Sequence, residues 1–328
     1  MTSPTDARVR VVRGSDVDHV ALSSLQRDVF GDVLAKNGIP ADRLAPEVFA
    51  WKLAPPAGEA RVAVVEEDGD LLAACVMFPV QLTRGANRVR GWHVCDAATA
   101  PRARGRGYCS EAVRTLVATV APEEWAFAFP NRRSRGAFVR EGFQATSRIP
   151  LWVRPVRRAM AAPEGVERVP ELSRIAAELD DLAVRCAEAS GLTAHRSAAY
   201  LLWRYAAHPY FDYEVHALRR DGELRGLLVL NCMRAREHVS AWVMECLAPR
   251  EADRRELALA ARSIAHARGA EVVLSMSNVR LPGAVRFPRW FLPKQHMLMA
   301  RRGGDAAPAS KADARAEWTV YTGDWDTF

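Results

Sequence analysis

No apolar run in this chain approaches the roughly 18 residues that a membrane-spanning helix needs, so a soluble protein without membrane contact is expected. The amino terminus is polar and charged and lacks the apolar stretch of a secretory signal, which gives a cytoplasmic expectation. Six cysteines, at positions 75, 95, 109, 186, 232 and 246, show no Cys-X-X-Cys spacing. That pattern argues against structural zinc, leaves no metal site expected, and makes reduced thiols the default. Two familiar nucleotide loops are missing as well. No Gly-Lys-Ser/Thr follows the glycine-bearing turn, and Ser110 stands where a dinucleotide fold would place its third glycine. Apolar residues make up 49% of the 328, enough for two cores, and ordinary domains run roughly 100 to 200 residues.

What is present is the run from Pro101 to Cys109, which joins an apolar strand-like segment to an amphipathic helix. Gly105 and Gly107 let the backbone take positive φ and approach a ligand, while the first helical turn offers unpaired N–H groups to the same space. Such a turn favours phosphate oxygens and reads as a pyrophosphate cradle. Val113, Leu116, Val117 and Val120 follow at helical spacing and give the helix one face to pack on a sheet. Arg102, Arg104 and Arg106 add positive charge; a solvated basic turn would have the same composition.

Downstream, Trp125 to Phe129 reads as a short buried strand ended by Pro130, and Asn131 reads as the N-cap of a second helix that stops at Gly142 before another strand. The order strand, glycine-bearing loop, helix, strand, Asn, helix, Gly-Phe, strand resembles the GNAT superfamily of acyl-CoA-dependent N-acetyltransferases. The family motif is Gln/Arg-X-X-Gly-X-Gly/Ala. It fits in two frames, Arg102 to Gly107 or Arg104 to Cys109. The second better keeps the spacing from Pro101 and puts Cys109 at the final small position.

The resemblance implies a set of cofactor contacts for acetyl-CoA or another acyl-CoA. Backbone amides of Gly105, Arg106, Gly107, Tyr108 and Cys109, with Arg104 at the motif's start, would hold the pyrophosphate. Ala98 and Thr99 would pair with the pantetheine amides as an added strand. Asn131 would contact the pantetheine arm, a role compatible with capping. The cluster Arg132, Arg133 and Arg135 would meet the ribose 3′-phosphate, although its charge, within a net +7, also fits nucleic acid. Asp96, three residues before Thr99, lies where relatives carry a carboxylate base; bonding to neighbouring amides is the alternative. His93 is a weaker candidate, placed on the opposite face of an alternating strand. The family's usual acid, a tyrosine seven residues after the asparagine, is replaced by Phe138, which leaves Tyr108, Ser134 or water to protonate the thiolate. At a helix start among arginines, the thiolate of Cys109 is favoured, against the simpler role of a small residue packed under the cofactor.

The length is explained by duplication. Phe49, Trp51 and Lys52 are echoed by Leu201, Trp203 and Arg204, and the hairpin signal Asp68-Gly69 by Asp221-Gly222, at an offset of 152 to 153. Trp92 matches Trp242, and Asn131 matches Asn278. In the second copy the cradle position runs from Pro249 to Glu256 without glycine and with acids at the helix start, so that copy is expected to have lost CoA. Glu245, near the equivalent of Asp96, reads as structural.

These readings give an α/β (α+β) fold of two tandem domains, each a mixed, mostly antiparallel twisted sheet flanked by helices. The boundaries are 1–158 for the acyl-CoA-binding domain and 159–328 for the degenerate copy. A linker is expected over Val156–Val169, a mobile loop over Gly303–Ala314 and a closing strand and tail over Trp318–Phe328. The implied activity is direct transfer of an acetyl or other short acyl group to a primary amine of a small-molecule acceptor. The other classes are an aminoacyl-tRNA-dependent transferase, with tRNA as partner, a non-catalytic acyl-CoA-binding protein and a thioester decarboxylase. A monomer or homodimer fits equally.

Overall fold

Hairpins and two parallel strand pairs organise the chain. The computed structural model describes residues 9–36, 38–157, 161–235, 237–288, 290, 292, 297–304 and 317–325. The first half supplies β1 (Val9–Arg13), α1 (His19–Lys36), α2 (Pro46–Lys52), β2 (Arg61–Glu67), β3 (Asp70–Arg84), β4 (Asn87–Thr99), α3 (Tyr108–Val117), β5 (Trp125–Ala128), α4 (Arg135–Arg140) and β6 (Gln144–Arg148). The second supplies β7 (Leu151–Pro155), β8 (Val166–Arg168), α5 (Ala176–Glu188), β9 (Thr193–Ala194), α6 (Ala198–Leu201), β10 (Glu214–Arg220), β11 (Glu223–Ala235), β12 (His238–Leu247), α7 (Glu251–Ala267), β13 (Val272–Met276), β14 (Val285–Arg286) and β15 (Met297–Arg302).

Among the described residues two sheets form, with strand orders β1-β2-β3-β4-β5-β15-β6 and β8-β10-β11-β12-β13-β7-β14. The orders correspond position by position, so the duplication inferred from sequence is present in the topology. β1, β2 and β3 run antiparallel, as do β8, β10 and β11, whereas β4–β5 and β12–β13 are parallel. Asp68 and Asp221, at the two Asp-Gly hairpin turns, both take positive φ, 52° and 53°.

The chain divides into two compact units. One holds residues 1–81, 89–146 and 297–316, and the other holds 82–88, 147–296 and 317–328. The units are therefore not the contiguous stretches 1–158 and 159–328 expected from the sequence. β7 leaves the first half to lie between β13 and β14, and β15 leaves the second half to lie between β5 and β6. Each sheet gains the strand next to one edge from the other half, a pairing that local pattern cannot specify.

In the first unit, α3 buries Ala112, Val113, Leu116 and Val117 against Trp92 and Val94 of β4 and Ala126 and Ala128 of β5. Each large side chain so removed from water contributes roughly 1.5–3 kcal/mol, which fixes the helix start relative to the strand ends. In the second unit, α7 packs Leu257, Ala260 and Ala261 on Ala241, Val243 and Val273. The expected pairing of Trp92 with Trp242 is one residue out. Trp92 lies beside Ala126, one step before the last parallel pair, and its counterpart by register is Ala241; Trp242 corresponds to His93. A shift of one residue exchanges the faces of a strand, and Trp242 accordingly packs on the α5 side.

Within the expected linker, Val166–Arg168 forms β8; residues 158–160 lie outside the described residues. Of the expected loop and tail, 305–314 and 326–328 also lie outside them. Trp318–Trp325 is an extended stretch with a short 3-10 turn at Thr322–Asp324, not the closing strand expected, because its backbone pairing stops at an isolated bridge between Trp318 and Leu192 and mainly side chains meet the rest.

Candidate functional site

Parallel pairing between β4 and β5 stops at His93 and Phe127, although β4 continues to Thr99. The strands part, and the β5-side edge of β4 from Val94 onward faces the gap. Ligands of sheets with parallel strands bind at such carboxyl ends. The loops after β4 and β5 both lie there, which brings the Gly105–Cys109 bend and Asn131 to one end of the sheet.

After Thr99 the chain makes a 3-10 turn over Pro101–Ala103 and then bends through Gly105, φ 84°, and Gly107, φ 85°. Gly107 is the N-cap of α3. A Cβ at either glycine would meet nothing within 4 Å, so the bend faces open space. The amides of Ser110 and Glu111 bond to Gly107 O. Among the described residues, the amides of Gly105, Arg106, Gly107, Tyr108 and Cys109 meet no protein acceptor. Thr99 Oγ1 is likewise buried without a hydrogen-bond partner. A row of free donors, two open glycines and an orphaned hydroxyl at the strand end fit a diphosphate with an extended arm.

The arginines around the bend divide by partner. Arg102 pairs with Asp70 at 2.6 Å and Arg106 with Glu67 at 3.5 Å. The Tyr108 hydroxyl, then Glu67, raises the Arg106 pKa. Arg104, Arg132, Arg133 and Arg135 are exposed and, among the described residues, pair with no acid. Asn131 Oδ1 accepts from the amides of Arg133 and Ser134 at 2.8 and 3.1 Å in the turn that leads into α4; the N-cap itself is Ser134, not the Asn131 expected. Ser134 donates its hydroxyl to Asn131 O at 3.4 Å. Arg140 ties α4 to α3 through Ser110 Oγ at 2.5 Å.

Asp96 occupies a left-handed conformation, φ 47°, a bulge-like break in β4. Its carbonyl accepts from Gln26 Nε2 of α1 at 2.8 Å, and its Oδ2 lies 2.6 Å from Lys52 Nζ of α2. Both ion-pair side chains are largely buried, 7% and 15% exposed. Lys52 and Gln26 were missed by sequence reasoning. The only signal was that Lys52 belongs to a repeated motif, since the equivalent Arg204 is also buried. His93, on the last parallel pair, stacks on Phe127 at 4.9 Å and meets Phe78 and Phe129 edge-on.

Of the two roles open to Cys109, its surroundings favour the packed small residue. The Cys109 thiol is not poised as a thiolate: burial raises its pKa, and the opposing charge of Arg140 is the smaller influence. Phe138 stands where the resemblance would put an acid and is a core residue, edge-on to Phe143 at 5.1 Å. No cluster of His, Cys, Asp and Glu suited to a metal occurs among the described residues, and no helix among them is long and apolar enough to cross a membrane.

A sheet parted at parallel strands, with free amides at the next helix start, is a geometry suited to an anionic ligand. Residues 8–140 of the 328 match the family model of the acetyltransferase (GNAT) domain. Three solved structures share the fold across most of the chain. A probable N-acyltransferase from Enterococcus faecalis V583 is 15% identical over 91% of this chain and 73% of its own, with TM-score 0.65. A GCN5-related N-acetyltransferase from Anabaena variabilis ATCC 29413 is 15% identical over 90% and 73%, TM-score 0.61. Another from Kribbella flavida is 17% identical over 90% and 71%, TM-score 0.56. At these identities the likeness is one of fold. No curated protein matches the sequence.

Proposed function

We propose that the first unit binds acetyl-CoA or another short acyl-CoA along the carboxyl end of β4 and transfers the acyl group directly to a primary amine of a small-molecule acceptor. The observation that carries this reading is the set of unbonded amides from Gly105 to Cys109 at a bend open on its ligand side. The donor supplies a thioester carbonyl for the amine to attack and a thiol as leaving group. Arg104 and Arg133 add charge at the phosphate end, Ala98 and Thr99 offer backbone and hydroxyl to the extended arm, and Asn131 offers its amide nitrogen. Asp96 takes the proton that the acceptor's ammonium must lose, while Lys52 and Gln26 hold carboxylate and backbone in place. Tyr108 and Ser134 are the hydroxyls available to return a proton to the thiolate. Solvent serves where they do not, since a free thiol has a pKa of about 8.5. The second unit, without a glycine bend, is vacant of donor.

The reading is tested by screening primary-amine acceptors with acetyl-CoA while following released thiol. Amine-dependent thiol release is expected, and acyl-CoA binding without turnover on any acceptor would leave a binding protein instead. Asp96→Asn should lower turnover and leave donor affinity nearly unchanged.

A further inference from the structure

In the second unit the counterpart of the β4–β5 gap is filled by the chain itself. Parallel pairing of β12 and β13 ends at Trp242 and Leu274, and Glu317–Trp325 lies alongside Met276, Ser277 and Asn278 beyond that pair. Leu192 brackets this stretch on one edge, donating its amide to Glu317 O at 2.7 Å and accepting from Thr319 N at 2.9 Å. On the other edge, Asn278 accepts from Val320 N at 2.8 Å and donates from Nδ2 to Trp318 O. Ser277 donates its hydroxyl to Val320 O at 2.7 Å, and Met276 N donates to Thr322 Oγ1 at 2.9 Å. By the repeat, Asn278 is the counterpart of Asn131. Here its amide reads peptide groups as donor and acceptor at once. What remains is a space no larger than a water molecule, lined in part by Val243, Met244, Ser275 and Tyr321.

Charge holds the far end. Arg196 Nη2 is 2.8 Å from Asp324 Oδ1 on the stretch, and its Nε is 3.3 Å from Glu245 Oε2 on β12. One buried guanidinium thus serves two buried carboxylates. Tyr205 donates its hydroxyl to Glu245 Oε1 at 2.7 Å, and Arg204 donates to Gly323 O and Trp325 O at 3.1 and 2.9 Å. Tyr200, Tyr321, Cys186 and Cys246 complete the titratable surroundings, and burial raises the pKa of each. The backbone passes so close that a Cβ at Gly323 would overlap Tyr205 Oη and Glu245 Oε1.

We propose that Glu317–Trp325 is a strap that closes the second unit's cleft in place of a ligand. Arg196 latches it through Asp324 in competition with Glu245, so that closure takes up a proton and the hold weakens above neutral pH. With the strap closed, burial and then the charge of Asp324 push Glu245 up to about 7, against the pull of Arg196. Lifting the strap removes Asp324 and gives Arg196 to Glu245 alone, which favours the carboxylate. The closed state therefore binds the proton more tightly. Closure is favoured below the raised value and is lost as pH rises through it.

Hydrogen exchange of the full chain, corrected for the intrinsic rate, at about pH 6 and about pH 8.5 tests this. Protection of the 317–325 segment should fall about tenfold or more between the two, one pKa unit being a factor of ten in the linked equilibrium. Protection of β10 and β11 should hold. Glu245→Gln should flatten the strap's pH response, and Asp324→Asn should lower its protection at both pH values. A pH-independent strap, a fall shared by the whole unit, or a response that survives Glu245→Gln would each overturn the proposal; retained β10–β11 protection in the variants shows that the unit is still folded.

Discussion

The two units share one strand order and use the gap beyond their parallel pair in opposite ways. In the first, two glycines at positive φ turn unbonded amides toward open space. In the second, Arg250 caps α7 with ordinary extended geometry, Glu251 and Asp253 occupy the first turn, and a peptide stretch is hydrogen-bonded along the gap. A helix start is a generic anion site, but acids in its first turn already satisfy its positive end. The difference lies in a few residues at the β–α junction and in what occupies the gap, not in the topology. The buried cations of the repeated motif follow the same division. Lys52 anchors Asp96 beside the open gap, whereas Arg204 is bonded to carbonyls of the stretch that fills its own.

Substitutions can break or sharpen that comparison. The largest effect is expected from Lys52→Met, which strands the Asp96 carboxylate in a mostly buried site and should destabilise the first unit by about 3 kcal/mol, read from denaturant unfolding. Asp96→Asn should reduce turnover roughly 100-fold, the lower end for a general base, with donor affinity measured separately and unchanged. Gly107→Val forces a β-branched residue to φ 85° and should weaken donor binding by about tenfold or more, while the fold persists by circular dichroism. The mirror change at the N-cap of α7, Arg250→Gly, should create no donor binding, since the acids in the first turn remain. Asn131→Ala removes the side-chain bonds of the turn before α4 at a cost of about 1 kcal/mol, and a larger loss of donor affinity than that cost would mark contact with the pantetheine arm. The smallest effect concerns Cys109. Its raised pKa predicts alkylation near neutral pH no faster than that of an ordinary exposed thiol, and acceleration would contradict the burial account.

Much of this was legible from residues. The glycine bend, the α3 face and the hairpin turns are local patterns, and local patterns fix local structure. The duplication was legible because Asp-Gly turns and the asparagines after the short parallel strands recur in one order. The exchange of β7 and β15 was not, because Leu151–Pro155 and Met297–Arg302 read as strands whichever sheet receives them. Matching Trp92 to Trp242 failed for a related reason: residue type suggested equivalence, while register places Trp92 opposite α3 and Trp242 on the other face. The Lys52–Asp96 pair spans 44 positions, and no spacing rule connects a helix-end lysine to a strand carboxylate. Trp318–Trp325 resembled a strand because its alternation is real, but its backbone forms one isolated bridge, to Leu192, and its other partners include the side chains of Asn278, Ser277 and Arg204.

The central claim is that one unit is open to the donor and the other is closed. Calorimetric titration of the purified chain with acetyl-CoA tests it most directly. One site per chain is expected, lost or strongly weakened when Gly105 and Gly107 are both replaced by valine; no binding, or two sites per chain, would contradict it.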